Sequence, residues 1–143
     1  MAKALFDNML TENGNKDINS KSAGLTRLSG AKAAVNTIKI CSKNGLDVNS
    51  HRSSKVDGGL IFEADLVLTM EIEQMSYLQS VYSEQSQKIF TLTGYGEGNE
   101  RDIYDPYGDG IDIFEDVFNE IKGEIERIFP MLLIESKNIA DNN

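Results

Sequence analysis

Cysteine and histidine occur once each in 143 residues, as Cys41 and His51. A single thiol excludes an intrachain disulfide and any metal site built from several thiolates, and a single imidazole excludes a multi-histidine site. No metal and no cofactor is expected. There is no apolar run near the ~20 residues that cross a bilayer. The first ten residues lack the basic start and long apolar core of a secretory signal, because Asp7 and Asn8 interrupt Leu5, Phe6, Met9 and Leu10. A soluble, cytoplasmic chain is the expectation. Positive charge is scarce as well: 14 Lys and Arg stand against 23 Asp and Glu, a formal charge of -9. That field repels nucleic acid phosphates and anionic lipid, so neither nucleic acid nor membrane is expected as a partner.

What is present is ordinary globular composition, 40% hydrophobic and 26% charged in 15.9 kDa, enough for one core. One domain over residues 1–135 is expected, followed by a polar tail, 136–143, that frays. The opening residues pair Leu5 and Phe6 with Met9 and Leu10 at helical spacing, and Asn13-Gly14-Asn15 stops them. Residues 17–24 read as a short strand entering a loop. A stripe of Ala34, Ile38 and Cys41 predicts an amphipathic helix over about 31–44, closed by Gly45. Leu66, Val67 and Leu68 predict a buried strand within 64–70, with a polar helix over 71–82 after it. Ile89, Phe90 and Leu92 predict another strand. Phe114, Val117, Phe118, Ile121, Ile125 and Ile128 share one face of a last helix, which Pro130 is expected to end. Helices alternating with strands predict an α/β domain with a parallel sheet.

Several segments, in order, carry a resemblance. They are Met1-Ala2-Lys3-Ala4-Leu5-Phe6 opening a helix, Ser22-Ala23-Gly24, and Asn49-Ser50-His51-Arg52-Ser53. Ala64-Asp65-Leu66-Val67-Leu68-Thr69-Met70, Lys88-Ile89-Phe90-Thr91-Leu92, and Asp105-Pro106-Tyr107-Gly108 before Ile111-Asp112 complete the set. Together they resemble the low-molecular-weight protein tyrosine phosphatase family, and more narrowly its bacterial branch with protein-arginine phosphatases. The resemblance implies a three-layer domain, a parallel sheet flanked by helices, and hydrolysis of phosphotyrosine or phosphoarginine on protein side chains through a phosphocysteine. It assigns Asp105 as general acid and then base, Tyr107 as an aromatic wall of the substrate cleft, and Ser22 and His51 as supports of the phosphate loop. Read from the residues alone, Asp105-Pro106-Tyr107-Gly108 is equally a tight turn, and His51 a satisfied structural imidazole.

Members of that family begin with a strand and a Cys-x5-Arg-Ser-Pro loop, and the residues after that proline look like Met1 onward. The nucleophile and the phosphate-gripping arginine therefore have no counterpart in these 143 residues. Cys41 lies mid-helix on an apolar stripe and is expected to be buried and inert. Arg52 is expected to be a solvated surface residue, and Asp102, Asp105, Asp109 and Asp112 a solvated acidic loop without calcium-loop spacing. Gly94, Gly96 and Gly98 lack the phosphate-binding fingerprint and read as a flexible loop. In the family the absent strand is interior, lying between counterparts of 17–24 and 64–70, so its loss is expected to leave both with unpaired ladder groups. The favoured explanation is a start at an internal methionine of a longer protein. The alternatives are a rearranged sheet, or a strand donated by a partner or a second copy. By itself the 143-residue chain is expected to be inactive, and the rival reading is a non-catalytic protein that accepts a partner's strand.

Overall fold

The computed structural model describes residues 1–26 and 29–141. They fall into two compact units. The first is made of Met1–Ser22, Lys32–Arg52 and Pro106–Asn143, and the second of Ala23–Ala31 and Ser53–Asp105.

The first unit is helical. Helix α1 (Ala2–Asn13) ends where Gly14 takes φ 72 and sends its N–H back to Leu10 and Thr11 carbonyls, the left-handed stop that glycine accepts without a Cβ penalty. Helix α2 (Val35–Lys43) buries Ile40 and Cys41. Helix α5 (Ile111–Asp141) is the long element, and it packs against both α1 and α2. All six residues of its apolar stripe are buried, with Phe118 and Ile128 the most enclosed. Phe6 of α1 meets Phe129 of α5 edge to face, ring centroids 5.8 Å apart.

Pro130 does not end this helix; it lies inside it. A proline there removes one N–H from the ladder. The packing of Ile128 and Phe129 on one side and the half-buried Met131, Leu132 and Leu133 on the other holds the axis through that point. The helix continues through Ser136 to Asp141, and the last two residues of the expected tail lie outside the described residues.

The second unit carries the sheet. Strands β1 (Val67–Thr69) and β2 (Ile89–Thr91) pair in parallel, with Val67 opposite Ile89, Leu68 opposite Phe90 and Thr69 opposite Thr91. Between them run helix α4 (Ile72–Val81) and a 3-10 turn (Ser83–Lys88). Helix α3 (Gly58–Glu63), too short to leave a periodic pattern, precedes β1, and its start is capped by Asp57, whose carboxylate accepts from the Leu60 N–H. Ile61, Leu78 and Ile89 form the core here, with Val56, Val67, Met75 and Tyr82 packed around them.

The strand expected at 17–24 is not formed, and only Gly24 makes a bridge, in parallel with Lys55. At its start the Asn15 side chain accepts from the N–H groups of Asp17 and Ile18, and the Ser20 hydroxyl donates to Asp7. Backbone and side chains that are spent on turns offer no ladder. In place of the expected pair of strands facing a gap, the edge of β1 away from β2 has no ladder partner among the described residues. Val67 and Leu68 are half-buried and only Thr69 is buried, so β1 is less enclosed than its apolar run predicts. The architecture is α/β with a parallel sheet and helices. Among the described residues no helix is long and apolar enough to cross a membrane.

Candidate active site

Three threonines close the C-terminal ends of the parallel strands. Thr69, Thr91 and Thr93 are all buried, and each hydroxyl is committed to loop backbone. Thr69 donates to the Glu71 carbonyl at 3.0 Å. Thr91 accepts from the Gly94 N–H at 3.0 Å. Thr93 takes the Arg101 N–H at 3.0 Å and donates to the Arg101 carbonyl at 2.5 Å. A Cβ on Gly94 would stand 2.8 Å from the Thr91 hydroxyl, so this glycine is required by the close approach. The glycine-rich loop is therefore pinned at both ends. In open α/β sheets the carboxyl ends of parallel strands are where sites form.

From Arg101 the chain runs to Asp105. Ile103 is buried, and its N–H donates to the Met70 carbonyl just beyond β1 at 2.8 Å. Asp105 is exposed, next to the buried Pro106. The Asp109 N–H returns to the Pro106 carbonyl at 3.0 Å, closing a turn in which Gly108 takes φ 95. A positive φ at that third position is what a type II turn demands, and glycine supplies it. The turn thus spans 106–109, one residue later than the motif suggests, and Asp105 stands just before it. Tyr107 occupies the tip and is 81% exposed, an aromatic face held out by its turn.

The remaining expected residues are more modestly placed. Ser22 is exposed and His51 half-buried, its backbone N–H bonded to the Val48 carbonyl. Ser22, His51 and Tyr107 belong to the first unit and Asp105 to the second. The chain itself brings Asp105 and Tyr107 together, on either side of Pro106. Arg52 is exposed, and its guanidinium donates to the carbonyls of Asn49 and His51, a local structural use. Asp102 is not merely part of a solvated loop: its carboxylate accepts from the Ile72 N–H at 2.7 Å, thirty residues away in sequence. No cluster of His, Cys, Asp or Glu among the described residues is arranged to hold a metal ion.

Cys41 is fully enclosed. Burial pushes its thiol above the usual cysteine range, and the ammonium of Met1 offsets part of that. Six positions after Cys41, where a Cys-x5-Arg pattern would place arginine, stands Asp47, so no Cys-x5-Arg exists in this sequence. A raised, buried thiol is a poor nucleophile. Labelling of Cys41 by a disulfide reagent at pH 8 should proceed about 10³-fold or more slower in native protein than in urea, since it waits on opening. Stoichiometric labelling of native protein within seconds would contradict this.

Comparison with known proteins gives a consistent result. The family model for low molecular weight phosphotyrosine protein phosphatases matches residues 1–139. A protein-arginine-phosphatase of Bacillus subtilis is 30% identical over 132 residues, 92% of this chain and 87% of that protein. A probable low molecular weight protein-tyrosine-phosphatase, EpsP, of Ralstonia nicotianae is 31% identical over 111 residues, 78% of this chain and 74% of its own length. The solved YwlE arginine phosphatase from Geobacillus stearothermophilus is similar with a TM-score of 0.86 at 28% identity, over 96% of this chain and 86% of its own.

Proposed function

We propose, from the premise that this chain belongs to the low molecular weight phosphotyrosine protein phosphatase family, that Asp105 is the acid–base group of a phosphomonoesterase site acting on phosphorylated protein side chains. The observation that carries this reading is the placement of an exposed Asp105 before a turn that presents Tyr107. In the first step a thiolate sulfur takes the phosphoryl group and the leaving oxygen or nitrogen takes the Asp105 proton. In the second, the Asp105 carboxylate takes a proton from the water that attacks phosphorus, the P–S bond breaks, and inorganic phosphate leaves. Tyr107 flanks the phosphorylated side chain, and Ser22 and His51 brace the loop that cradles phosphate. Residues 1–135 act as one phosphatase-like domain in a cytoplasmic setting, without metal or cofactor. Relatives bear the names of both tyrosine and arginine phosphatases, so either side chain fits the class of substrate.

On this reading the thiolate is not Cys41, the one cysteine of these 143 residues, which is enclosed and is followed six positions later by Asp47 instead of an arginine. The polypeptide by itself is therefore expected to leave para-nitrophenyl phosphate unhydrolysed. Turnover that falls on Asp105→Ala would overturn that expectation. A second reading rests on the open edge of β1: the chain accepts a strand there, from a partner or from a second copy, without catalysis. It predicts a stable complex and no turnover even when a nucleophile loop is supplied, which the phosphatase reading forbids.

A further inference from the structure

Helix α4 begins without help from its own N-cap residue. Glu71 makes no side-chain capping bond; instead its carboxylate accepts from the Gln74 amide at 2.7 Å. The first N–H of the helix, on Ile72, is taken by Asp102, a carboxylate from far along the chain at 2.7 Å. A negative charge there also complements the positive end of the helix dipole. The arrangement joins two things that sequence distance separates: the start of α4 directly after β1, and the segment leading to Asp105. On either side of Asp102 the same segment is fastened again, Arg101 through both backbone groups to Thr93, and Ile103 to the Met70 carbonyl at 2.8 Å. Three successive residues are thus tied to the segments that directly follow the two parallel strands, and Asp105 is two residues past the last tie.

We infer that Asp102 is a positioning residue: by capping α4 from a distance it locks the 101–105 segment and fixes where the Asp105 carboxylate stands. The inference rests on the reading of Asp105 as the acid–base group. The two fail separately, because the measurement below follows Asp105 itself and not turnover. Of the three ties this one alone is an exposed side chain, so it is removable with the core left intact. Thr93 is buried and Ile103 holds through its backbone.

The test is backbone NMR on the 143-residue chain. Asp102→Ala should speed hydrogen exchange of the Ile72 amide at least about 10-fold and lower the order parameter at Asp105 from about 0.85 to below about 0.6. Amides of the buried stretch of α5 should be unchanged. Asp102→Asn, which keeps an acceptor oxygen, should restore both values most of the way. Leu78→Ala, a core truncation in α4, serves as the control for plain loss of stability. An Asp105 amide that stays ordered in Asp102→Ala would sink the inference. So would equal loosening of Asp105 in Leu78→Ala, or an Asp102→Asn protein no better than the alanine variant.

Discussion

A chain extended ahead of Met1 by a strand and a Cys-x5-Arg-Ser-Pro loop should hydrolyse para-nitrophenyl phosphate with saturable kinetics where the 143-residue chain does nothing. The change is expected to be large, because on the phosphatase reading the added segment supplies the nucleophile and the phosphate-gripping arginine. A sulfur anion in a cup of backbone N–H groups accepts the phosphoryl group, and an arginine grips two of its oxygens. In that extended protein Asp105→Ala should lower kcat by about 10²–10⁴, the usual contribution of a placed proton donor. Para-nitrophenolate is a good leaving group that needs little protonation, so the loss with a phosphorylated peptide should be the larger of the two. Measuring kcat for both substrates in both proteins checks the argument. No turnover in the extended chain, together with a tight complex with an added strand peptide, would favour the strand-accepting reading instead.

The second large effect concerns stability. Phe118→Ala should destabilise the fold by about 3–5 kcal/mol, the range for emptying a large aromatic from a packed core. Phe118 is 1% exposed and lies on the α5 face that is buried along its length, in the unit where α5 packs on α1 and α2. Against a typical whole-domain stability of about 5–15 kcal/mol, the loss is a large share of the total. With a urea slope of about 1–3 kcal/mol/M, the unfolding midpoint should fall by roughly 1–5 M. Ile134→Ala on the same helix is the comparison: Ile134 is 62% exposed, and its loss should cost no more than about 0.5 kcal/mol. Equal midpoints for the two variants would show that the stripe is not the core it is taken to be.

The open edge of β1 and the enclosed Cys41 bear on function in opposite ways. An unpaired ladder edge invites another strand, and proteins ordinarily cover or blunt such edges. Here the edge is short, three residues, and it sits beside the threonine rim that holds the Asp105 segment. The thiol, by contrast, is packed away on α2, where it behaves as a small apolar side chain. Burial holds its pKa above the ordinary range, and the Met1 ammonium offsets only part of that.

Helix periodicity was enough to locate α1, α2 and the buried face of α5, because side chains three and four residues apart share a face whatever lies opposite. The same holds for the burial of Cys41 and for the parallel pair β1 and β2, whose apolar runs are separated by a helix. The absence of a Cys-x5-Arg is likewise a matter of sequence alone. Tertiary structure decided the rest. It left 17–24 without a strand, its first N–H groups turned onto the Asn15 side chain, and carried α5 through Pro130. It also moved the turn to 106–109 and turned Asp102 from a loop acid into the cap of α4. Each of these depends on where a polar group finds its partner. Periodicity records only which way a residue faces, so a carboxylate and an N–H thirty positions apart leave no trace in it until the chain has folded.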